Sequence, residues 1–165
     1  LEYADKLERI SVVPRGESLG ATWYSPEEDH NLVSKAQFLD KLVSILWWRA
    51  AEEVFLGAEH ITTGAGNDFE RATRIAADMV LSYGMDDDLW PICYSKTSEE
   101  NNSLYRRYSD QTTQIADTKI KALLTHAYSQ AKKILSDHRW QVESIVKVLL
   151  DKEYLSKEEF DELMK

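Results

Sequence analysis

Apolar residues recur three and four apart through several long stretches of this chain and alternate with polar ones only near its start, which separates helix from strand. In residues 67–85, Phe69, Ala72, Ile75, Ala76, Met79 and Val80 fall on one helical face. Asn67 is placed to cap that helix, Asp68 lies in its first turn, and Gly84 is a stop signal. Ser34 with Gln37 three residues on is a capping box, opening a helix that runs to Gly57 with Leu39, Leu42, Val43, Leu46, Ala50 and Val54 as its stripe. Ser109 and Asp110 open another, with Ile120, Leu123, Leu124, Ala127, Ala131, Ile134 and Leu135 inward. Residues 140–150 continue with Val142, Ile145, Val146, Leu149 and Leu150, and Ser156 with Glu159 begins a last short helix. Residues 7–13 and 20–24, separated by Pro14-Arg15-Gly16, read instead as two paired strands. The pattern predicts a mainly α domain carrying a small N-terminal β-hairpin, with an acidic turn at 26–29 and a polar loop at 95–105.

Composition narrows the functional classes. The 165 residues are 43% apolar and 30% charged, which is a globular balance sufficient for one domain with a real core. A net charge of -9 supplies no basic field for a nucleic-acid backbone and is repelled by anionic lipid, so neither is expected as a partner of this segment. No run approaches the roughly 20 apolar residues of a membrane span, and any anchor is expected outside this chain. The lone Cys93 excludes an internal disulfide and is most simply a small apolar residue.

Candidate chemistry gathers around Thr62-Thr63-Gly64-Ala65-Gly66-Asn67-Asp68. A phosphate cradle fails there, because Phe69 occupies the place of the third glycine and Asp68 would face the phosphate. An aspartate at a helix start can instead serve as a third zinc ligand, although alone it equally complements the helix dipole. Two histidines four apart on a helix would complete such a site, but none of His30, His60, His126 and His138 are so spaced. His126 and His138 would lie roughly 18 Å apart on a continuous helix. Arg49, with Glu52 and Glu53 three and four residues on, is expected to form pairs within the helix. At least one of Trp47 and Trp48 is expected to be buried or to cover an interface, core being favoured over a stacking platform.

The motifs Val13-Pro14-Arg15-Gly16, Pro26-Glu27-Glu28-Asp29, Arg49-Ala50-Ala51-Glu52-Glu53, Thr62-Thr63-Gly64-Ala65-Gly66-Asn67-Asp68, Glu70-Arg71-Ala72-Thr73 and Tyr83-Gly84-Met85 occur in an order and spacing that resembles the peptidase domain of FtsH-type ATP-dependent zinc metalloproteases. The likeness extends over essentially residues 1–165, with 1–108 as a metal-site half and 109–165 as a helical tail. It implies a helical zinc endopeptidase behind an AAA+ ring that uses ATP, assembled as a homo- or hetero-hexamer and acting on membrane and misfolded protein substrates. The expected place is the cytosolic face of a bacterial inner membrane, or the matrix or stroma side of an organelle membrane.

Within that resemblance Asp68 is the third zinc ligand. The other two ligands and the general base belong to a His-Glu-x-x-His motif expected upstream of Leu1, so no catalytic residue is expected within this chain, and the chain alone is expected to be inactive. Val12, Val13, Gly64 and Asn67 are candidates for a substrate cleft. The family usually carries Gly-Gly before Arg49 and Gly before Pro91, whereas this chain has Trp47-Trp48 and Trp90. Those departures, with the missing motif, support two alternatives: a catalytically silent FtsH-like scaffold subunit, or a helical adaptor with exposed tryptophans.

Overall fold

The capping box at Ser34 forms as the spacing predicts: the Ser34 hydroxyl accepts from the Gln37 N–H at 3.2 Å, and the Gln37 side chain accepts from the Ser34 N–H at 2.7 Å. In the computed structural model, which describes residues 1, 6–13, 20–25, 32–94 and 109–164, helix α1 (Lys35–Ala51) starts from this box. It buries Leu42, Val43, Ile45, Leu46 and Ala50, leaving Leu39 and Val54 half-buried. The helical path then widens into a π turn, Glu52–Leu56, ended by Gly57 at a φ of 95°. A π turn holds more residues per turn than an α turn, and Glu52 here takes a buried place.

Two short 3₁₀ turns, Ala58–His60 and Thr63–Ala65, lead into helix α2 (Gly66–Leu81). Helical geometry thus begins at Thr63, so Asn67 lies inside the first turn of α2 and does not cap it. Ala72, Ala76, Met79 and Val80 are buried as the periodicity predicts, whereas Phe69 stays exposed. Helix α1 packs on α2, and the fully buried Ala50, Ala72 and Ala76 permit close approach of two backbones. Beyond α2, Gly84 at a φ of 63° lets the Met85 N–H reach the Met79 carbonyl at 3.0 Å. Val80, Leu89 and Ala116 then form a core that half-buried Ile115, Ile120 and Leu123 of helix α3 (Asp110–Asp137) help to cover.

The chain divides into two compact units, one built on Val33–Lys133 and the other on Ala4–Leu32 with Ile134–Lys165. In the second, β1 (Lys6–Ser11) and β2 (Ala21–Ser25) form the expected antiparallel hairpin, with a register shift between Leu7 and Arg9. Arg9 lies 4.3 Å from the centroid of the Trp23 ring. A third strand, β3 (Tyr154–Ser156), is added on the other side, so the order is β2-β1-β3 and β1 is central. Between α4 (Arg139–Lys152) and α5 (Lys157–Leu163), Ile10 pairs with the fully buried Leu155. Ser156 and Glu159 make the expected second capping box.

Leu135 and Leu149 are buried in this unit, but Val146 and Leu150 of the predicted stripe are exposed. Overall the structure is mainly helical with a small antiparallel sheet, as expected. The expected acidic turn at 26–29 and the loop at 95–105 lie outside the described residues.

Candidate metal centre

Asp68 is the third residue of α2, where the free N–H groups of a helix start favour an acid. Its side chain is half-buried. Among the described residues it has neither a hydrogen bond nor an ion pair. A half-buried carboxylate left without a partner fits the chemistry of a metal donor. The rest of a donor set is not beside it: among the described residues, no three His, Cys, Asp or Glu side chains are grouped to hold an ion. Asp68 therefore fits zinc as one ligand of a set that these residues do not complete.

The loop before Asp68 is fixed by a side chain that sequence spacing assigned elsewhere. Glu52, 8% exposed, accepts the Thr62 N–H at 3.2 Å and the Thr62 hydroxyl at 2.5 Å. The Thr62 hydroxyl oxygen in turn accepts the Gly64 N–H at 3.2 Å. Hydrogen bonds from Thr62 hold the Glu52 carboxyl below the usual carboxylate range, with smaller help from Arg49 and Trp48, against the opposing effect of burial. No sequence pattern marks Glu52 for this role, because the π turn takes it off the helical stripe.

Its neighbour Glu53 faces a different partner set. The Tyr128 hydroxyl and Lys132 ammonium of α3 both donate to it, the latter at 2.5 Å, and Arg49 lies at 3.8 Å. Lys132 and then Tyr128 hold the Glu53 carboxyl low. Burial and the hydrogen bond to Glu53 push the Tyr128 phenol up to about 12. Of the two expected pairs of Arg49, only that with Glu53 is an ion pair; Glu52 faces the loop instead.

Other candidates divide plainly. His60 is exposed, its Nε2 3.9 Å from Glu59. His126 and His138 are both exposed, and so is Cys93. Of the two adjacent rings Trp47 is the more covered, being half-buried, whereas Trp48 is 61% exposed and Trp90 65%. These rings settle against glycines: a Cβ on Gly64 would sit 3.7 Å from the Trp48 indole nitrogen, and one on Gly84 only 2.9 Å from Trp90. Gly64 and Asn67 are exposed at the start of α2, whereas Val12 and Val13 follow β1 in the other unit and are 40% and 41% exposed. With β1 central, the strands with an outer edge are β2 and β3.

Known proteins share this arrangement of sequence over nearly its full length. The chain is 40% identical over 166 residues to the ATP-dependent zinc metalloprotease FtsH of Thermotoga maritima, which covers 97% of this chain and 27% of that protein. It is also 40% identical over 158 residues to FtsH of Halothermothrix orenii, covering 92% of this chain and 25% of the other. The mitochondrial inner membrane m-AAA protease component yta12 of Schizosaccharomyces pombe is 36% identical over 164 residues, covering 99% and 21%. The chain thus spans about a quarter of the length of the curated relatives it matches. Residues 1–163 match the peptidase family M41, and the chain belongs to that family.

Proposed function

We propose that this chain is part of an ATP-dependent zinc metalloendopeptidase in which Asp68 is the carboxylate ligand. The observation that carries this reading is the half-buried Asp68, without a side-chain partner among the described residues, at a helix start whose preceding loop is pinned by Glu52. Zinc, when bound, polarises a scissile carbonyl and makes its water a nucleophile at neutral pH. Asp68 contributes a negative charge and a fixed direction, the start of α2 keeps the ligand beside the loop, and Gly64 and Asn67 line the approach for substrate. Val12 and Val13, after β1, are proposed substrate contacts as well, with an extended substrate pairing to a sheet edge. The remaining ligands and the general base are the His-Glu-x-x-His residues that the likeness implies.

The relatives' names, an ATP-dependent zinc metalloprotease and a mitochondrial inner membrane m-AAA protease component, support ATP-dependent proteolysis at zinc; protein substrates, a separate AAA+ domain and hexameric assembly belong to the same proposal. No helix among the described residues is long and apolar enough to cross a membrane. The silent-scaffold alternative has no support from those names. In the complete protein, Asp68→Ala is expected to abolish bound zinc and the degradation of casein while the protein stays folded. Full zinc content together with undiminished proteolysis would overturn the assignment.

A further inference from the structure

Thr62 does more than end a loop. Its N–H and hydroxyl both end on the buried Glu52 carboxylate, while its hydroxyl oxygen accepts the Gly64 N–H and so closes the 3₁₀ turn Thr63–Ala65. That turn runs without a break into α2, because the Gly66 N–H bonds back to the Thr63 carbonyl. Ala65, 2% exposed, anchors the same turn in the core. Asp68 lies two residues past Gly66, and its side chain has no hydrogen bond or ion pair with the described residues to fix its direction. The direction of its carboxylate is therefore inherited from the turn.

We propose that Thr62 is a positioning residue for the metal centre, acting as a latch between Glu52 and the start of α2 that sets where the Asp68 carboxylate stands. The proposal rests on Asp68 being a ligand. Metal–ligand distances tolerate only about 0.2 Å, and groups that orient a ligand typically contribute 10–100-fold to metal affinity. The hydroxyl serves the latch both as a second donor to Glu52 and as the acceptor for Gly64; a valine side chain of the same shape offers neither and leaves only the backbone N–H on Glu52.

The test uses the complete protein and measures Zn²⁺ affinity by competition with a chromophoric chelator, alongside thermal unfolding, for Thr62→Val, Thr62→Ser and Asp68→Ala. Thr62→Val is expected to weaken zinc binding by about 10–100-fold, and Thr62→Ser, which keeps the hydroxyl, to restore it to within about threefold of the native protein. Hydrogen exchange should quicken at Ala65, Gly66 and Asn67 in Thr62→Val and not at the far end of α2. Native zinc affinity in Thr62→Val, beside a lost site in Asp68→Ala, would overturn the latch and leave the ligand assignment standing. Native affinity in Asp68→Ala would overturn the ligand assignment and the latch with it. Should Thr62→Val fail to fold, Thr62→Ser and Glu52→Gln decide: a hydroxyl-preserving variant as weak as Glu52→Gln would contradict the proposal.

Discussion

Asp68 and the pair Asp86 and Asp88 look alike in sequence, each an acid at a turn beside α2, yet the structure treats them in opposite ways. Lys119 of α3 reaches Asp88 at 2.5 Å and Asp86 at 3.6 Å, and the Asp86 side chain also accepts the Asp88 N–H. Hydrogen bonding to Asp88, with the charges of both acids, raises the Lys119 ammonium above its usual value despite some burial. No described cation does the same for Asp68. The acids that close this turn have their counter-charge within the fold, whereas Asp68 has none among the described residues. The absence of a local partner, not acidity, distinguishes the two.

Matched substitutions sharpen that contrast. Asp68→Asn in the complete protein is expected to lower zinc affinity by more than about 100-fold, beyond the usual effect of residues that merely orient ligands. Asp88→Asn should leave zinc affinity unchanged and reduce thermal stability slightly. Equal effects of the two on metal affinity would erase the distinction.

Next in size is Tyr128→Phe, which removes one of two hydrogen bonds to Glu53 and is expected to cost about 1.5 kcal/mol in chemical denaturation. The deficit should follow pH in a definite way. Glu53 is held below 4.5 when folded, so its contribution is present above that pH and fades as pH falls through the folded value. Tyr128 is raised from 10.0 to about 12, so its contribution is full below pH 10 and fades toward 12. The Tyr128→Phe deficit should thus be greatest between those limits and shrink at both ends; a deficit constant from acid to alkali would contradict the pairing. The smallest effect is expected from Lys119→Met: a slight loss of thermal stability that added salt diminishes, because the ion pair is partly solvated.

Legibility in the sequence followed the range of the interactions. Both capping boxes and most of the α1 and α2 stripes were readable because their cause lies within a few residues. The hairpin was equally local. Strand β3 was not: three residues give no alternation to detect, and their partner β1 lies at the other end of the chain. Asn67 looked like a cap because Asn favours that place, but the preceding 3₁₀ turn had already begun the helix. Glu52 was hidden for a related reason, since a π turn changes the register on which helical spacing depends. Which of the two adjacent tryptophans is the more covered was not readable: Trp47 is half-buried, while the Trp48 indole lies near Gly64 with most of its ring facing water. Asp68 was singled out through the family likeness, and its lack of a side-chain partner among the described residues is a property only the folded chain displays.

The most direct test of a metal-ligating Asp68 is an anomalous-difference map at the zinc edge from crystals of the complete protein. A zinc peak about 2.0–2.2 Å from an Asp68 carboxylate oxygen is expected. A fully occupied zinc whose ligands do not include Asp68 would contradict the assignment.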